Sequence, residues 1–371
     1  MRRFIGEPFE RLGGAMIDPD MVVPAALPLD LCGESVRARL CTFTDHNNCD
    51  MALRPDLTLP VALNEIEGRK SGVVQGERVH RYNARAFRQP LVAGEPLEFM
   101  QIGFERFGAG VTPEIDAEAY CLVSDVARQA GVQEGIAQFG NLSVLPAFID
   151  ALGLSETVSA GLRRAFRQAG GVAAYLERAS RPRDPFVQSL AGLERAEAET
   201  ALKAKLASEG LTHFGNRSQD EVVTRLMEQA KDSETGDVPG KAKAILEAVL
   251  AVSCHPRHAE RELLGIAAGA GLSGLRVRMQ ELTACFGQIE RCAPHFFENA
   301  VFSPAFGRRF TYYDGFVFEI AEPGERMSRP FGAGGRYDSL LSDLSQGSVS
   351  ATAIGGVVRP DRLTLARESL S

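Results

Sequence analysis

Runs of β-forming residues lie near both ends of the chain, and a long helical segment separates them. Between about residue 150 and residue 295, Ala, Leu, Arg and Glu recur at helical spacing with breaks at Gly or Pro. Strands on both sides of such a segment predict an α+β fold in which the two ends of the chain share one antiparallel sheet flanked by helices. The predicted strand regions include Met21-Val22-Val23, Cys41-Thr42-Phe43, Phe99-Met100-Gln101-Ile102, Phe310-Thr311-Tyr312-Tyr313, Phe316-Val317-Phe318 and Ile354 to Val358.

The chain is long enough for more than one domain. Its 371 residues correspond to roughly two domains of about 150 residues each. We assign residues 1–150 and 295–371 to a sheet-containing core and residues 151–294 to a helical insertion. Thr112-Pro113-Glu114 has the N-cap, proline and acidic first turn of a helix that should continue to about Ala130 and end at Gly131. Residues 231–241 are polar and predict a loop.

Charge and composition exclude several kinds of partner. The chain has 41 Lys and Arg against 48 Asp and Glu, a net charge of −7, and no run of basic residues, which argues against a nucleic-acid partner. No window approaches the roughly 18 apolar residues that a membrane span needs. The seven cysteines are odd in number and include no CxxC pair. We therefore expect no disulfide framework and a reducing, cytoplasmic compartment.

Polar residues interrupt two apolar segments in the N-terminal half. Asp56 and Thr58 are two residues apart after Leu53, and Gln101, Gly103 and Glu105 follow the same spacing. In a strand, residues at this spacing lie on one face. If that face is concave, the acids, amide and hydroxyl could hold an ammonium group or an imidazole N–H, while the glycine leaves room for a ligand. The alternative is a solvent-facing strand surface.

Two C-terminal segments combine cations, tyrosines and glycines. The first contains Arg308, Tyr312 and Tyr313, and the second reads Gly332-Ala333-Gly334-Gly335-Arg336-Tyr337-Asp338. Guanidinium groups suit a carboxylate, and tyrosines supply an apolar wall with a hydroxyl at its tip, so the set suits a zwitterionic amino acid. The alternative is a glycine-rich turn beside a packed aromatic cluster.

Two other patterns suggest cofactors, but both fit poorly. The residues Cys254, His255, His258, Cys285, Cys292 and His295 are zinc-ligand types whose spacing matches no closed tetrahedral site. Gly332-x-Gly334 lacks the third glycine and the βαβ context of a dinucleotide site. We therefore expect neither a metal nor a cofactor.

Taken in order, these segments resemble the catalytic core of histidyl-tRNA synthetases, which are class II aminoacyl-tRNA synthetases. The resemblance covers nearly the whole chain and implies a class II synthetase-like fold. It rests on Pro24 with Pro28 and Gly33 (first motif, with its dimer-interface proline), Cys41-Thr42-Phe43-Thr44-Asp45, LRPDLT, Phe87-Arg88 with QIGFERFG (second motif), RFTYYDGFVFE, GAGGRYD, and Ala353-Ile354-Gly355-Gly356 leading to Asp361-Arg362-Leu363 (third motif). By position, the implied histidine pocket consists of Asp56, Thr58, Arg88, Gln101, Glu105, Arg308, Tyr312, Tyr313 and Tyr337.

Three departures from the family pattern concern ATP and tRNA. The second motif lacks its acid, and its loop carries Glu95, Leu97 and Glu98 in place of cations; such a loop would repel a triphosphate. Arg359 replaces a glycine of the third motif, where its bulk would intrude on the nucleotide. Only nine residues follow Arg362, so we expect no anticodon-binding domain and no tRNA charging.

A histidine-binding chain of this kind resembles the regulatory subunits of ATP phosphoribosyltransferase. The resemblance implies a non-catalytic homodimer within a hetero-octamer that contains a short-form catalytic subunit, in the first step of histidine biosynthesis. It also implies allosteric feedback inhibition by L-histidine. Two other hypotheses stay open at this point. One is a free-standing ligase that adenylates histidine, which Arg88, Arg308 and Arg362 favour; the other is a dimeric scaffold with a vestigial pocket.

Overall fold

The structure is a computed structural model, and the chain forms two compact units. Residues 1–151 and 248–371 make up the first unit, and residues 152–247 make up the second. The structure describes residues 7–32, 34–73, 75–92, 94–167, 171–179, 184–208, 222–227, 230, 238–307, 311–323 and 329–369.

An eight-stranded sheet forms the centre of the first unit. Its strands are β1 (Ala15–Met16), β5 (Arg78–Phe87), β6 (Glu98–Phe107), β7 (Ile136–Asn141), β8 (Val301–Phe302), β9 (Phe316–Ala321), β10 (Gly332–Arg336) and β11 (Ala353–Val358). They lie in the order β1-β5-β6-β11-β10-β9-β7-β8. All neighbours are antiparallel except the outer pairs β1 with β5 and β7 with β8.

A smaller sheet of three strands is built from the N-terminal segment. It contains β2 (Val22–Pro24), β3 (Cys41–Thr44) and β4 (Asp50–Leu53), with β4 in the middle. Both sheets draw on the runs that the sequence predicts as strands, and the two ends of the chain share the larger one. The α+β fold is therefore confirmed.

Helices surround the sheets and make up the second unit. Those of the first unit are α1 (Glu7–Glu10), α2 (Ala26–Leu31), α3 (Glu34–Arg37), α4 (Thr58–Lys70), α5 (Pro113–Gln129), α6 (Val144–Ala151), α12 (Ala259–Ala270), α13 (Arg276–Cys292), α14 (Pro294–Phe297), α15 (Leu340–Leu344) and α16 (Pro360–Ser369). Those of the second unit are α7 (Glu156–Arg167), α8 (Gly171–Ala179), α9 (Pro185–Ser189) and α10 (Arg195–Ser208), and α11 (Gly240–Leu250) crosses the boundary.

Helix α5 packs on the middle of the large sheet. Thr112 caps it by accepting a hydrogen bond from the backbone N–H of Ile115, and Gly131 follows its end at φ 92°, as the sequence predicts. The helix approaches two glycines very closely. A Cβ at Gly332 or Gly356 would lie only 2.6 or 2.8 Å from methyl groups of Val123. The glycines of β10 and β11 therefore let α5 reach the sheet.

The second unit is entirely helical in its described part, but it is shorter than the insertion expected at 151–294. Its apolar core contains Leu190, Leu202 and Val223. Helices α12 and α13 belong to the first unit, where Phe286 of α13 contacts Phe139 of β7 at a ring-centroid distance of 5.4 Å. Helical spacing alone does not distinguish a helix of the insertion from one that packs on the sheet. Most of the loop predicted at 231–241 lies outside the described residues.

Three sequence-based assignments are wrong in detail. Thr58 begins α4, so Asp56 and Thr58 do not share a strand. The glycine-rich segment expected to turn forms strand β10, because its neighbours β9 and β11 supply the hydrogen bonds. Thr311 and Tyr312 form a turn, and Phe310 lies outside the described residues.

One pair of cysteines differs from what the sequence predicts. Cys121 and Cys292 form a disulfide between α5 and α13. The sequence gives no sign of this bond because the two residues are 171 positions apart, and only the packing of the two helices brings them together.

Among the described residues, no helix is long and apolar enough to cross a membrane.

Candidate functional site

A cavity of about 410 Å³ opens beside the large sheet in the first unit. It is framed by the β5–β6 hairpin, the start of α4, the segment before β9, and the ends of β10 and β11. Six of the nine residues predicted for the pocket line it: Asp56, Thr58, Arg88, Gln101, Tyr312 and Tyr313.

Glu105 and Tyr337 lie directly behind this lining. The Glu105 carboxylate is 1% exposed and accepts hydrogen bonds from three hydroxyls. Thr58 Oγ1 donates at 2.7 Å, Tyr82 OH donates at 3.1 Å, and Tyr337 OH donates to the other oxygen. Burial raises the pKa of Glu105 to about 7, although these three donors favour the charged form. We call Asp56, Thr58, Tyr82, Glu105, Tyr312 and Tyr337 the acid–tyrosine network.

Glycine in β11 makes this arrangement possible. Glu105 pairs with Gly355 across the two strands, and a Cβ at Gly355 would overlap the Glu105 carboxylate. The space at Gly103 has a different use from the one the sequence suggests. A Cβ there would lie 2.7 Å from the hydroxyl of Tyr82, so the missing side chain accommodates this hydroxyl rather than a ligand.

Asp56 is a second buried acid, and it faces the cavity. Its Oδ1 accepts a hydrogen bond from the backbone N–H of Leu59 at 3.2 Å, in the first turn of α4, and its Oδ2 accepts one from Tyr312 OH at 3.5 Å. Burial raises the pKa of Asp56, and the nearby guanidinium of Arg88 opposes this shift. The carboxylate is thus anchored at the helix end while it lines the cavity.

Gln101 and the tyrosine pair complete this side. The Oε1 atom of Gln101 is buried and, within the described structure, has no hydrogen-bond partner. Such an atom in a cavity wall is satisfied when a donor enters the cavity. Tyr312 and Tyr313 lie with ring centroids 4.8 Å apart, and together they provide an aromatic wall.

Arginines dominate another part of the cavity lining. We call Arg88, Arg329, Arg359 and Arg362 the guanidinium cluster. Arg88 Nε donates to the carbonyl of Pro55 at 2.8 Å, and Arg362 Nη1 donates to the carbonyl of Pro330 at 2.9 Å. Burial, with a further contribution from the charge of Arg359, lowers the pKa of Arg362 to about 9.

Arg359, a lining residue, packs on the ring of the buried Phe99. Its guanidinium carbon lies 3.6 Å from the centroid of the Phe99 ring, and Arg88 lies 5.3 Å from the same centroid. Asp361 accepts two hydrogen bonds from Arg359, at 3.1 and 2.8 Å. The side chain is therefore held against Phe99 by stacking and by an ion pair.

The hairpin loop beside the cluster is fixed by a different ion pair. Glu95 lies 2.8 Å from Arg39, and it also accepts a hydrogen bond from the backbone N–H of Leu91 at 3.0 Å. An acid of the loop is thus paired with a lining arginine, and it reduces the positive charge available there.

The structure also contains site residues that the sequence did not reveal. Tyr82 and Arg39 line the cavity, but no motif includes them. Glu319, the last residue of RFTYYDGFVFE, also lines it, although the sequence did not assign it to the pocket. For Tyr82 a signal exists, because it pairs with Gly103 across β5 and β6, and a bulky residue opposite a glycine can fill its space. Arg308 lies outside the described residues.

The residues considered for zinc have other contacts. His255 Nε2 lies 3.0 Å from the carbonyl of Phe297, and Cys292 is bonded to Cys121. In the part of the chain that the structure describes, no group of three His, Cys, Asp or Glu side chains is placed to hold a metal ion.

Comparison with known proteins identifies the family. A sequence profile described as histidyl-tRNA synthetase matches residues 1–235 and 216–363. An ATP phosphoribosyltransferase regulatory subunit of Mesorhizobium japonicum is 31% identical over 366 residues, which cover 95% of this chain and 93% of the relative. The chain belongs to the family of ATP phosphoribosyltransferase regulatory subunits. Another member of this family, from Brucella anthropi, is 29% identical and covers 94% of this chain and 92% of its own.

Solved structures of proteins described as histidyl-tRNA synthetases share the fold of this chain. A Bacillus halodurans protein described as ATP phosphoribosyltransferase regulatory subunit/histidyl-tRNA synthetase has a TM-score of 0.61 and 22% identity, with coverage of 100% of this chain and 78% of that chain. The histidyl-tRNA synthetase of Nostoc has a TM-score of 0.60 and 15% identity, with coverage of 100% and 71%. The class II synthetase-like fold is therefore confirmed.

Proposed function

We propose that this chain is a non-catalytic regulatory subunit that binds L-histidine in the cavity and controls a short-form catalytic subunit of ATP phosphoribosyltransferase. The regulatory role follows from the family. The observation that carries the choice of ligand is that Asp56 and Gln101 line one cavity with two tyrosines, that Glu105 lies buried behind them, and that Gln101 Oε1 has no partner in the described structure.

The chemistry of the cavity matches the groups of histidine. Asp56 and Gln101 offer acceptors to an ammonium group or an imidazole N–H, and Arg88 offers donors to a carboxylate. Tyr312 and Tyr313 provide the wall for a flat ring. A volume of about 410 Å³ lies within the range of roughly 300–1,000 Å³ that is usual for small-molecule sites.

The guanidinium cluster supports a role without ATP chemistry. Arg359 occupies the space beside Phe99, and Glu95 is built into the hairpin loop that borders the cavity. Arg359 opposes a bound nucleotide by its volume, and Glu95, which pairs with Arg39, removes one positive charge from those that could hold a triphosphate. With no nucleotide to activate, the effect of histidine has to be allosteric, through a difference in affinity between two conformations of the complex.

The proposal includes a homodimer within a hetero-octamer, in the cytoplasm. The small sheet carries Pro24 of the first motif and exposes Val22 and Phe43, which are 39% and 44% exposed, and Met21, just before the sheet, is 48% exposed. Exposed apolar side chains on one small sheet suit a protein–protein contact, and we assign the contact between two copies to it.

The direct test measures turnover of ATP and phosphoribosyl pyrophosphate by a short-form catalytic chain, with and without this protein, across a histidine titration. We expect this protein to raise turnover and histidine to reverse the increase. Glu105→Ala and Tyr313→Ala should each weaken the inhibition while the chain stays folded. Tyr120→Phe, a change in a buried tyrosine outside the cavity lining, serves as the control.

A catalytic chain that is active on its own and unaffected by this protein would contradict the regulatory proposal. Unchanged inhibition in both folded cavity variants would contradict the choice of site alone.

A second candidate function, a ligase that adenylates histidine, is favoured by Arg88 and Arg362, which line the same cavity. Histidine-dependent exchange of pyrophosphate into ATP by the purified chain would support this ligase.

A further inference from the structure

The Cys121–Cys292 disulfide joins helices α5 and α13, which pack against each other. Cys121 lies in the middle of α5, and Cys292 is the last residue of α13. Their Cα atoms are 6.0 Å apart, within the distance range of protein disulfides. The free cysteines of the described structure are Cys32, Cys41, Cys49, Cys254 and Cys285.

A side-chain hydrogen bond lies in the same helix contact as this disulfide. Gln288 Nε2 of α13 donates to Glu114 Oε1 of α5 at 2.9 Å. Arg278 of α13 and Asp116 of α5 both line a second cavity of about 230 Å³. This cavity lies toward the N-terminal end of α13, whereas the disulfide holds the last residue of that helix on α5.

Exposure makes this pair accessible to thiols in solution. Cys292 is exposed and Cys121 is half-buried. Cys285, on the same helix as Cys292, is buried, and burial raises the pKa of its thiol well above the ordinary value. Since the thiolate is the reactive form, Cys285 does not compete for exchange.

Helix α5 also connects the pair to the candidate site. Val123, two residues after Cys121, contacts the backbone positions of Gly332 and Gly356, and Gly332 lines the larger cavity. The way α13 is held on α5 therefore acts on a helix that supports the strands of the site.

We propose that Cys121 and Cys292 form a reversible thiol–disulfide pair that fixes α13 on α5 when it is oxidised. The oxidant is a small disulfide of the glutathione class. A thiolate of the pair attacks it, releases one glutathione thiol and leaves a mixed disulfide; attack by the second cysteine then releases the other thiol. Two protons and two electrons pass from the cysteines to the glutathione.

The test equilibrates the full chain with reduced and oxidised glutathione at a series of ratios, traps free thiols with iodoacetamide and maps the peptides by mass spectrometry. We expect a Cys121–Cys292 linked peptide whose fraction follows the ratio, with the same curve from reduced and from oxidised protein. The oxidised chain should melt roughly 5 °C higher than the reduced chain. Cys121→Ser and Cys292→Ser should each remove this shift, whereas Cys49→Ser, which changes an exposed free cysteine, should keep it.

Alkylation of both cysteines at every ratio would overturn the proposal, and so would linkage of either one mainly to another cysteine. A bond that forms but does not reopen in reduced glutathione would overturn its reversibility. Hydrogen exchange of the wild-type chain needs no variant. Amides of residues 276–292 should exchange more slowly in the oxidised protein, and equal exchange in the two forms would show that the bond does not fix the helix.

Discussion

The acid–tyrosine network and the guanidinium cluster border one cavity, but they are organised in opposite ways. In the network, buried carboxylates accept hydrogen bonds from hydroxyls, and beside it Gln101 keeps an acceptor without a partner in the described structure. In the cluster, Arg359 is held by Phe99 and Asp361. The positive charges of neighbouring arginines repel one another, and this contributes to the lowered pKa of Arg362. One side of the cavity therefore offers acceptors to a ligand, and on the other side Arg359 fills the space beside Phe99.

The largest expected effect concerns the pH dependence of stability. The pKa of Glu105 is about 7 in the folded chain and near 4.3 in an unfolded one. Between these values the folded protein holds a proton that the unfolded chain has released, so the free energy of unfolding falls as pH rises through this window. From pH 5 to pH 8, wild type should lose roughly 3 kcal/mol more than Glu105→Gln, measured by urea unfolding. Equal losses would contradict a raised pKa.

The next prediction tests the two sides as binding surfaces. Asp56→Asn removes a buried charge from the network and should weaken histidine binding about 100-fold, the value of a hydrogen bond to a charged group. Asp361→Asn changes an acid paired with the cluster and should leave the affinity within about twofold, since its partner is Arg359 rather than the ligand. Calorimetric titration of each folded variant measures this contrast, and equal effects would break it.

A smaller effect is expected when the cluster is opened. Arg359→Gly exposes the face of Phe99 on which the guanidinium lies, and should raise the affinity for ATP about tenfold, the value of stacking one base on an aromatic ring. Histidine affinity should hardly change. Titrating ATP into wild type and variant measures this effect. An unchanged ATP affinity in a folded variant would show that Arg359 is not what excludes the nucleotide.

The smallest effect compares two buried tyrosines. Tyr82→Phe removes a hydrogen bond to Glu105 and should destabilise the chain by about 1 kcal/mol. The hydroxyl of Tyr120 is buried with no partner in the described structure, so Tyr120→Phe should be neutral or slightly stabilising. Unfolding at pH 8 measures both, and an equal loss would show that the Tyr82 hydroxyl contributes nothing specific.

Much of the fold was predictable because its signals are local. The Thr112 cap with its proline determines where α5 begins, and period-2 spacing places Gln101 and Glu105 together on β6. The β10 segment was not predictable in the same way. A glycine-rich run reads as a turn until two neighbouring strands supply its hydrogen bonds.

The residues of the candidate site show the same difference between local and tertiary signals. Asp56, Thr58, Arg88, Gln101, Tyr312 and Tyr313 were found from motifs, and the structure brings them to one cavity. Tyr82 was missed, because its role depends on lying opposite Gly103 in a neighbouring strand. Glu105 and Tyr337 lie behind the cavity surface. The sequence does not predict this, because a motif identifies a residue but not how deeply it is buried.

Residue types at fixed spacing in the sequence carry the resemblance to the family, and they predict the α+β class and most of the polar residues that line the cavity. Only the tertiary structure decided that Glu105 titrates near neutral pH, that Arg359 lies on Phe99, and that Cys121 meets Cys292. Each of these depends on burial or on contacts between residues far apart in the chain, and such contacts exist only once the sheet and its helices have packed.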